Sequence, residues 1–168
     1  MLKSMIITAM MAVLALADAP VLKTGQTTSY RAGDDGAYQK GIARSYTRDD
    51  VNGTVTDNAT HLEWQDDAVG STMTWTDAGT YCNDLTLDGK TDWRLPTVEE
   101  LVSITDKGHA NPSINTIYFQ NVTSSVYWSS TTLASDSSYA WLVYFDYGYD
   151  RCYGKAHSVY VRCVRSGQ

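Results

Sequence analysis

Two apolar periods alternate along the chain, and the switches between them mark the expected elements. One stretch, residues 5–16 (MIITAMMAVLAL), is continuously apolar. It is too short and too N-terminal for a membrane span. Residues 18–43 carry no apolar period and read as a loop-rich arm packed on the domain. Residues 44–48 alternate and predict a strand. Thr54-Val55-Thr56 and Leu62-Glu63-Trp64 flank the turn-rich tetrad Asp57-Asn58-Ala59-Thr60, which predicts a hairpin. Ala78, Tyr81, Cys82 and Leu85 fall at i, i+3, i+4 and i+7. They predict a helix capped by Thr74 or Thr76 and running to about Leu85. Residues 87–90 read as a turn. Trp93-Arg94-Leu95-Pro96 leads into a second helix. There Thr97 and Glu100 match a capping box, and Val98, Leu101 and Ile104 form the apolar face.

Beyond residue 126 the period is two. Strands are expected at 127–131, 139–147 and 159–164. In the middle strand Trp141, Val143 and Phe145 share one face, assigned to the core. Leu142, Tyr144 and Asp146 share the other, assigned to the surface. Val159, Val161 and Cys163 share a face of the last strand. No repeat occurs at solenoid periods.

Composition narrows the class. At 168 residues, 43% hydrophobic and 19% charged, the chain is long and apolar enough for one folded domain with an extension. A net charge of −6 argues against nucleic-acid binding. Lys3 ahead of the apolar run and Ala15-Leu16-Ala17 behind it make residues 1–17 an expected signal peptide, cleaved before Asp18. Cleavage after Ala19 would leave Pro20 first and is the weaker choice; the alternative to a signal is a short buried helix. No cysteine follows the run, so no lipid attachment is expected. Cleavage removes Lys3 and leaves 12 basic and 19 acidic side chains, a net charge of −7. Export to the medium or the cell surface places the chain where disulfides persist.

Four strings occur in order: GTVTDNATHLEWQDD (53–67), YC…GKTDWRLPTVEEL (81–101), YWSST (127–131) and YVRCVR (160–165). Together they resemble the C-terminal domain family of the Legionella collagen-like protein. TGQTTSY and DDGAYQKG, within 24–41, look like the N-terminal extension of its bacterial members. One departure is His61-Leu62-Glu63-Trp64, where the family has Gly-Leu-Met-Trp. The resemblance implies an α+β, C-type-lectin-like fold. Its parts are two helices on twisted antiparallel sheets, a long loop region, and termini brought together. The implied organisation is a signal at 1–17, an extension at 18–43, and the lectin-like domain at 44–168. It also implies a disulfide between Cys82 and Cys163, and scaffold roles for Trp93, Trp128, Trp141, Val143 and Phe145. Closing so long a loop would stabilise by about 4–5 kcal/mol. Cys152 is left as an accident of diversification, a free thiol or an intermolecular link. A local Cys152–Cys163 bridge is the competing pairing.

A narrower resemblance concerns AWLVYFDYGYDRCYGKAHSVYVRCVR (140–165). It looks like the variable region of proteins diversified by retroelements, in which template adenines are copied with errors. Asn codons so copied cannot become Trp, Met, Gln, Lys or Glu. Between Ser129 and Arg165 only Trp141 and Lys155 belong to that excluded group, and both match framework positions. The implied variable region is about 133–159. The implied ligand-binding positions are Leu142, Tyr144, Asp146, Tyr147, Tyr149, Asp150, Arg151, Cys152, Tyr153, Gly154, Ala156, His157, Ser158 and Val159.

The residue chemistry there suits recognition. Eight of the twelve tyrosines lie between Tyr118 and Tyr160. Tyrosine joins a rigid contact area to a polar tip, and Ser, Gly and Asp add adaptable hydrogen bonds, as in antibody paratopes. The competing explanation is that tyrosine favours strands. The expected partner is a protein or glycan on another cell or particle. A fixed-specificity adhesin for sulfated polysaccharide is the alternative; it would have to gather Arg94, Arg151, Arg162 and Arg165. No cofactor or metal is expected. Asp34-Asp35, Asp49-Asp50 and Asp66-Asp67 lie in no EF-hand loop, and the Glu-Pro-Asn, Gln-Pro-Asp and Trp-Asn-Asp motifs of calcium-dependent lectins are absent. His61 and Glu63, read as sharing a strand face, lack the Pro-Cys-x-x-Cys partner of a zinc deaminase. His109 and His157 are single histidines. No nucleophile elbow or Walker loop occurs. Formylglycine-generating enzymes share the broad fold but need a reactive cysteine pair, so no enzymatic activity is expected.

Overall fold

The hairpin expected around Asp57-Asn58-Ala59-Thr60 forms. In the computed structural model, which describes residues 21–68 and 70–167, β2 (Thr54–Asp57) pairs antiparallel with β3 (Leu62–Gln65). Val55 lies opposite Trp64, and the Asp57 carboxylate accepts the turn amides of Ala59 and Thr60. The expected signal peptide lies outside the described residues. β1 (Tyr46–Asp49) joins β2, starting two residues later than expected. The last strand, β9 (Val164–Ser166), pairs with β3 and completes a four-stranded sheet of order β1-β2-β3-β9. The first and last strands therefore share one sheet.

A second sheet has the order β4 (Thr72–Met73), β8 (Val159–Tyr160), β5 (Val126–Thr132), β6 (Tyr139–Tyr144), β7 (Tyr149–Gly154). Its pairs are antiparallel except β5 with β8, which is parallel. Three expectations are corrected here. The strand expected at 159–164 is two strands, because the chain leaves one sheet at Tyr160 and enters the other at Val164. The strand expected at 139–147 stops at Tyr144, and residues 145–148 turn. Residues 149–154, left outside the expected strands, form β7; Tyr-Asp-Arg-Cys-Tyr-Gly carries no clean period, and pairing to β6 decides its conformation.

The helices follow their caps. Thr74 caps α2 (Trp75–Asp84), whose Ala78 and Cys82 are buried. Tyr81 of the expected stripe stays exposed. Thr97 and Glu100 close both hydrogen bonds of the capping box on α3 (Val98–Ser103), at 2.8 and 3.2 Å. The N-terminal arm packs on the domain through Lys107 N–H to Thr24 O and Arg44 Nε–H to Lys23 O at 3.1 Å. It contains one unexpected turn of helix, α1 (Asp35–Tyr38), capped by Asp34.

The two cores lie on opposite faces of the five-stranded sheet. One gathers Val55, Trp64, Leu101, Phe119, Tyr127, Val143, Phe145 and Val164. The other gathers Ala78, Cys82, Trp93, Trp128, Ala140, Leu142, Val159, Val161 and Cys163. Cys82 and Cys163 are disulfide-bonded, as the resemblance implies. Neighbours Leu142 and Val143 thus enter different cores, as do Tyr127 and Trp128. A strand covered on both faces has no free face for alternation to report, and it reads as a nearly unbroken apolar run. For that reason Leu142, expected at the surface, is 1% exposed, while Trp141, expected in the core, is only half-buried.

Candidate functional site

The β6–β7 turn is held by main chain. Gly148 N–H donates to Tyr144 O at 2.7 Å, Asn111 N–H to Asp146 O at 2.9 Å, and Phe145 N–H to Ser125 O at 2.8 Å. Gly148 adopts φ +71, and a Cβ there would lie 2.5 Å from Ser113 Oγ. Only glycine suits such a backbone in so little space. These bonds fix the turn without using the side chains it displays.

The register sets which side chains meet. Tyr144 faces Tyr149, Leu142 faces Arg151 and Ala140 faces Tyr153. Cross-strand partners share a face, so Tyr149, Arg151 and Tyr153 extend the second core outward past its edge. The Tyr144 and Tyr149 rings stack at 4.7 Å, and Tyr147 lies 6.4 Å from Tyr149. Tyr153 packs on His157 at 4.4 Å. Tyr147 is 63% exposed, and Tyr149 and Tyr153 are each 41% exposed. Asp150 and Cys152 take the opposite face, across from Val143 and Trp141. Asp146 and Gly154 are partly buried; Ala156, His157 and Ser158 are exposed beyond β7.

Two expected surface positions fail to reach the surface. Leu142 and Val159, at 1% and 2% exposure, are core residues, because α2 and residues 93–95 cover that part of the sheet. Nor do all the tyrosines lie outside: Tyr127 is buried, and Tyr118 and Tyr160 pack against the first core. Sequence reading missed Tyr139, 40% exposed opposite Gly154; its place at the open start of a strand was the available signal. Cys152 is a half-buried free thiol, which removes the competing Cys152–Cys163 bridge.

Charges elsewhere are engaged internally. Arg162, 3% exposed, donates to Asp66 at 2.6 Å and to the carbonyls of Gln65 and Asn121. Asp66 also pairs with Arg48 and accepts the amides of Gln120 and Asn121. Arg165 donates to Glu63 and Asp92, both at 2.6 Å. Arg94 forks onto Glu100 at 2.6 and 2.7 Å. Of the four arginines that would have to meet a polyanion, Arg94, Arg162 and Arg165 already hold carboxylates. The acidic pairs are structural too: Asp34 caps α1, and Asp49 accepts the amides of Val51 and Asn52. His61 lies on the exposed turn before β3 at φ 58, so it shares no strand face with buried Glu63.

Beside the turn, Lys107 has its pKa lowered by burial, with Asp150 working in the opposite direction. A groove of about 920 Å³ lies on the arm side, between Leu22, Ile42, Arg44, Leu62 and Val102. It contains none of the expected binding positions. Among the described residues no group of three or more His, Cys, Asp or Glu side chains could hold a metal ion, and no helix is long and apolar enough to cross a membrane.

The family model described as the Lcl C-terminal domain matches residues 53–165. That span runs from the start of the β2–β3 hairpin through β8 and into β9, and includes all three cysteines. No curated protein sequence matches the chain.

Proposed function

The chain belongs to the Lcl C-terminal domain family, and from that premise we propose that it is an exported, non-enzymatic ligand-binding protein of the adhesion type. Its domain is C-type-lectin-like, a reading supported by two helices on two sheets and by first and last strands in one sheet. Its binding surface is the exposed part of the β6–β7 hairpin and the segment after it, residues 144–158. A retroelement diversifies that surface, and the ligand is a protein or glycan on another cell or particle. The intramolecular Cys82–Cys163 bond supports an extracellular setting.

One observation carries the reading. Stacked, exposed tyrosines stand on a turn fixed by main-chain bonds and one obligatory glycine. Rigid aromatic side chains lose little entropy on binding, and a backbone-held frame tolerates change in what it displays. The internal pairing of Arg94, Arg162 and Arg165 argues against the polyanion alternative.

The test has two arms. The mature chain and its Tyr149→Ala/Tyr153→Ala variant are applied to arrays of glycans and cell-surface proteins. A signal lost in the variant is expected; a signal unchanged by it overturns the site. Sequencing the locus across a population of source cells tests diversification. Substitutions clustered at 144–158 beside a near-copy repeat and a reverse-transcriptase gene are expected; an invariant stretch without them leaves a fixed-specificity adhesin.

A further inference from the structure

We infer that the surface takes an extended polypeptide as an added strand along β7, so that main chain supplies affinity and the displayed side chains supply selectivity. This rests on the binding-surface reading above and names its partner as protein rather than glycan.

β7 is the outer strand of the five-stranded sheet. All six of its residues pair with β6 without a break in register. Lys155 N–H donates to Ser138 O at 2.9 Å, one step beyond the last pair, and Phe145 N–H donates to Ser125 O on the other side of β6. Antiparallel pairing alternates, so these two bonds fix the phase. Tyr149, Arg151 and Tyr153 turn their main-chain groups toward β6. Asp150 and Cys152 turn theirs outward, and among the described residues no main-chain bond meets them there.

Asp150 and Arg151 place charge on this edge, but the other devices that ordinarily blunt one are missing. β7 has no proline and no bulge, and it is longer than the other edges: β4 has two residues, and β1 and β9 have four and three. Its outward amides and carbonyls would serve any peptide backbone, whatever side chains diversification places around them. Tyr149, Arg151 and Tyr153 flank one face of an incoming strand, and Asp150 and Cys152 the other. Alternate side chains of the peptide would be read by each set. A glycan could stack on the tyrosines but offers no ladder to match this edge.

The test pans the mature protein against phage displaying random linear peptides of about ten residues, enough for one strand. Recovered peptides are synthesised and titrated against wild type, Cys152→Ala and Cys152→Pro. Proline at 152 removes an outward amide and leaves the bonds to β6 intact. Binding about tenfold weaker in Cys152→Pro than in Cys152→Ala, which shares the loss of the thiol, is expected. N-methylation of the peptide at alternate residues should weaken binding by the same factor, with the intervening residues insensitive; this arm is independent of how the proline variant folds. Peptides that lose binding in Tyr149→Ala/Tyr153→Ala but ignore Cys152→Pro and N-methylation would overturn strand addition and leave the binding surface standing. Failure to recover any peptide, with glycan binding intact, would do the same. Peptides indifferent to every variant would overturn both.

Discussion

The end of the molecule where β3 meets β9 and the end where β6 turns into β7 handle charge in opposite ways. At the first, Asp66 and Glu63 are buried, each held by two cations: Arg48 and Arg162 on Asp66, Lys90 and Arg165 on Glu63. At the second, Asp150 and Arg151 are exposed, adjacent in sequence, and directed to opposite faces. Buried charge survives only when matched, so the first end admits few substitutions. Exposed charge and exposed tyrosine contribute little to stability, so the second end can change freely. The two ends belong to different sheets joined across the first core, an arrangement suited to a fixed scaffold with a replaceable surface.

The sharpest way to break this contrast is to remove Asp66. Asp66→Ala leaves buried Arg162 without a carboxylate partner, while Arg48 keeps only the exposed Asp50, and urea unfolding should show a loss of about 3–5 kcal/mol. A loss below about 1 kcal/mol would mean that solvent or other carboxylates replace it. Next in size is the disulfide. Cys82→Ala/Cys163→Ala releases a long loop in the unfolded chain and should lower stability by about 2–5 kcal/mol. Reduction of the wild-type protein should reproduce that loss; Cys152→Ala should leave it unchanged.

Much of this scaffold was legible in local pattern. The β2–β3 hairpin, both helices and the capping box each depend on residues within a few positions of one another. The disulfide was legible only through family resemblance. What local pattern missed depends on distant neighbours. β6 has two apolar faces because α2 and the Trp93–Leu95 segment cover one and α3 with the other sheet covers the second. β7 is a strand because β6 lies beside it. Arg162 and Arg165 read as possible ligands of a polyanion until Asp66 and Glu63, 96 and 102 residues away, are placed against them. Among the expected binding positions, Tyr147, Tyr149 and Tyr153 lie exposed, and Leu142 and Val159 were misplaced for the same reason as β6.

Leu142 therefore tests where the scaffold stops. Leu142→Ala should cost about 2–4 kcal/mol by leaving a cavity in the second core. A variant library tolerant of polar residues at 142 would show that the surface extends inward past the present boundary. A smaller effect comes from Glu100, whose carboxyl is partly desolvated. Arg94 and the Thr97 amide outweigh that burial and hold its pKa below the ordinary carboxylate value. A depressed folded pKa means stability that is full above the unfolded value, near 4.3, and is lost as pH falls through the folded one. Glu100→Gln should lower stability by about 1 kcal/mol at neutral pH and flatten that part of the acid unfolding curve.

The smallest expected effect is the one that the contrast most needs. Tyr147→Ala, Arg151→Ala and His157→Ala each remove a side chain that is exposed and takes part in no backbone bond of the turn. Each should shift unfolding by no more than about 0.5 kcal/mol, measured in the same urea titrations as Asp66→Ala. Tyr149→Ala should cost slightly more, because its stack on Tyr144 is lost. Gly148→Ala is the internal control: it lies between Tyr147 and Tyr149 in sequence, yet it should cost far more, since its φ and the Ser113 contact leave no room for a methyl group. If Tyr147→Ala proved as damaging as Gly148→Ala, the side chains would be holding the hairpin together, and a surface that must be kept for folding could not be varied for binding.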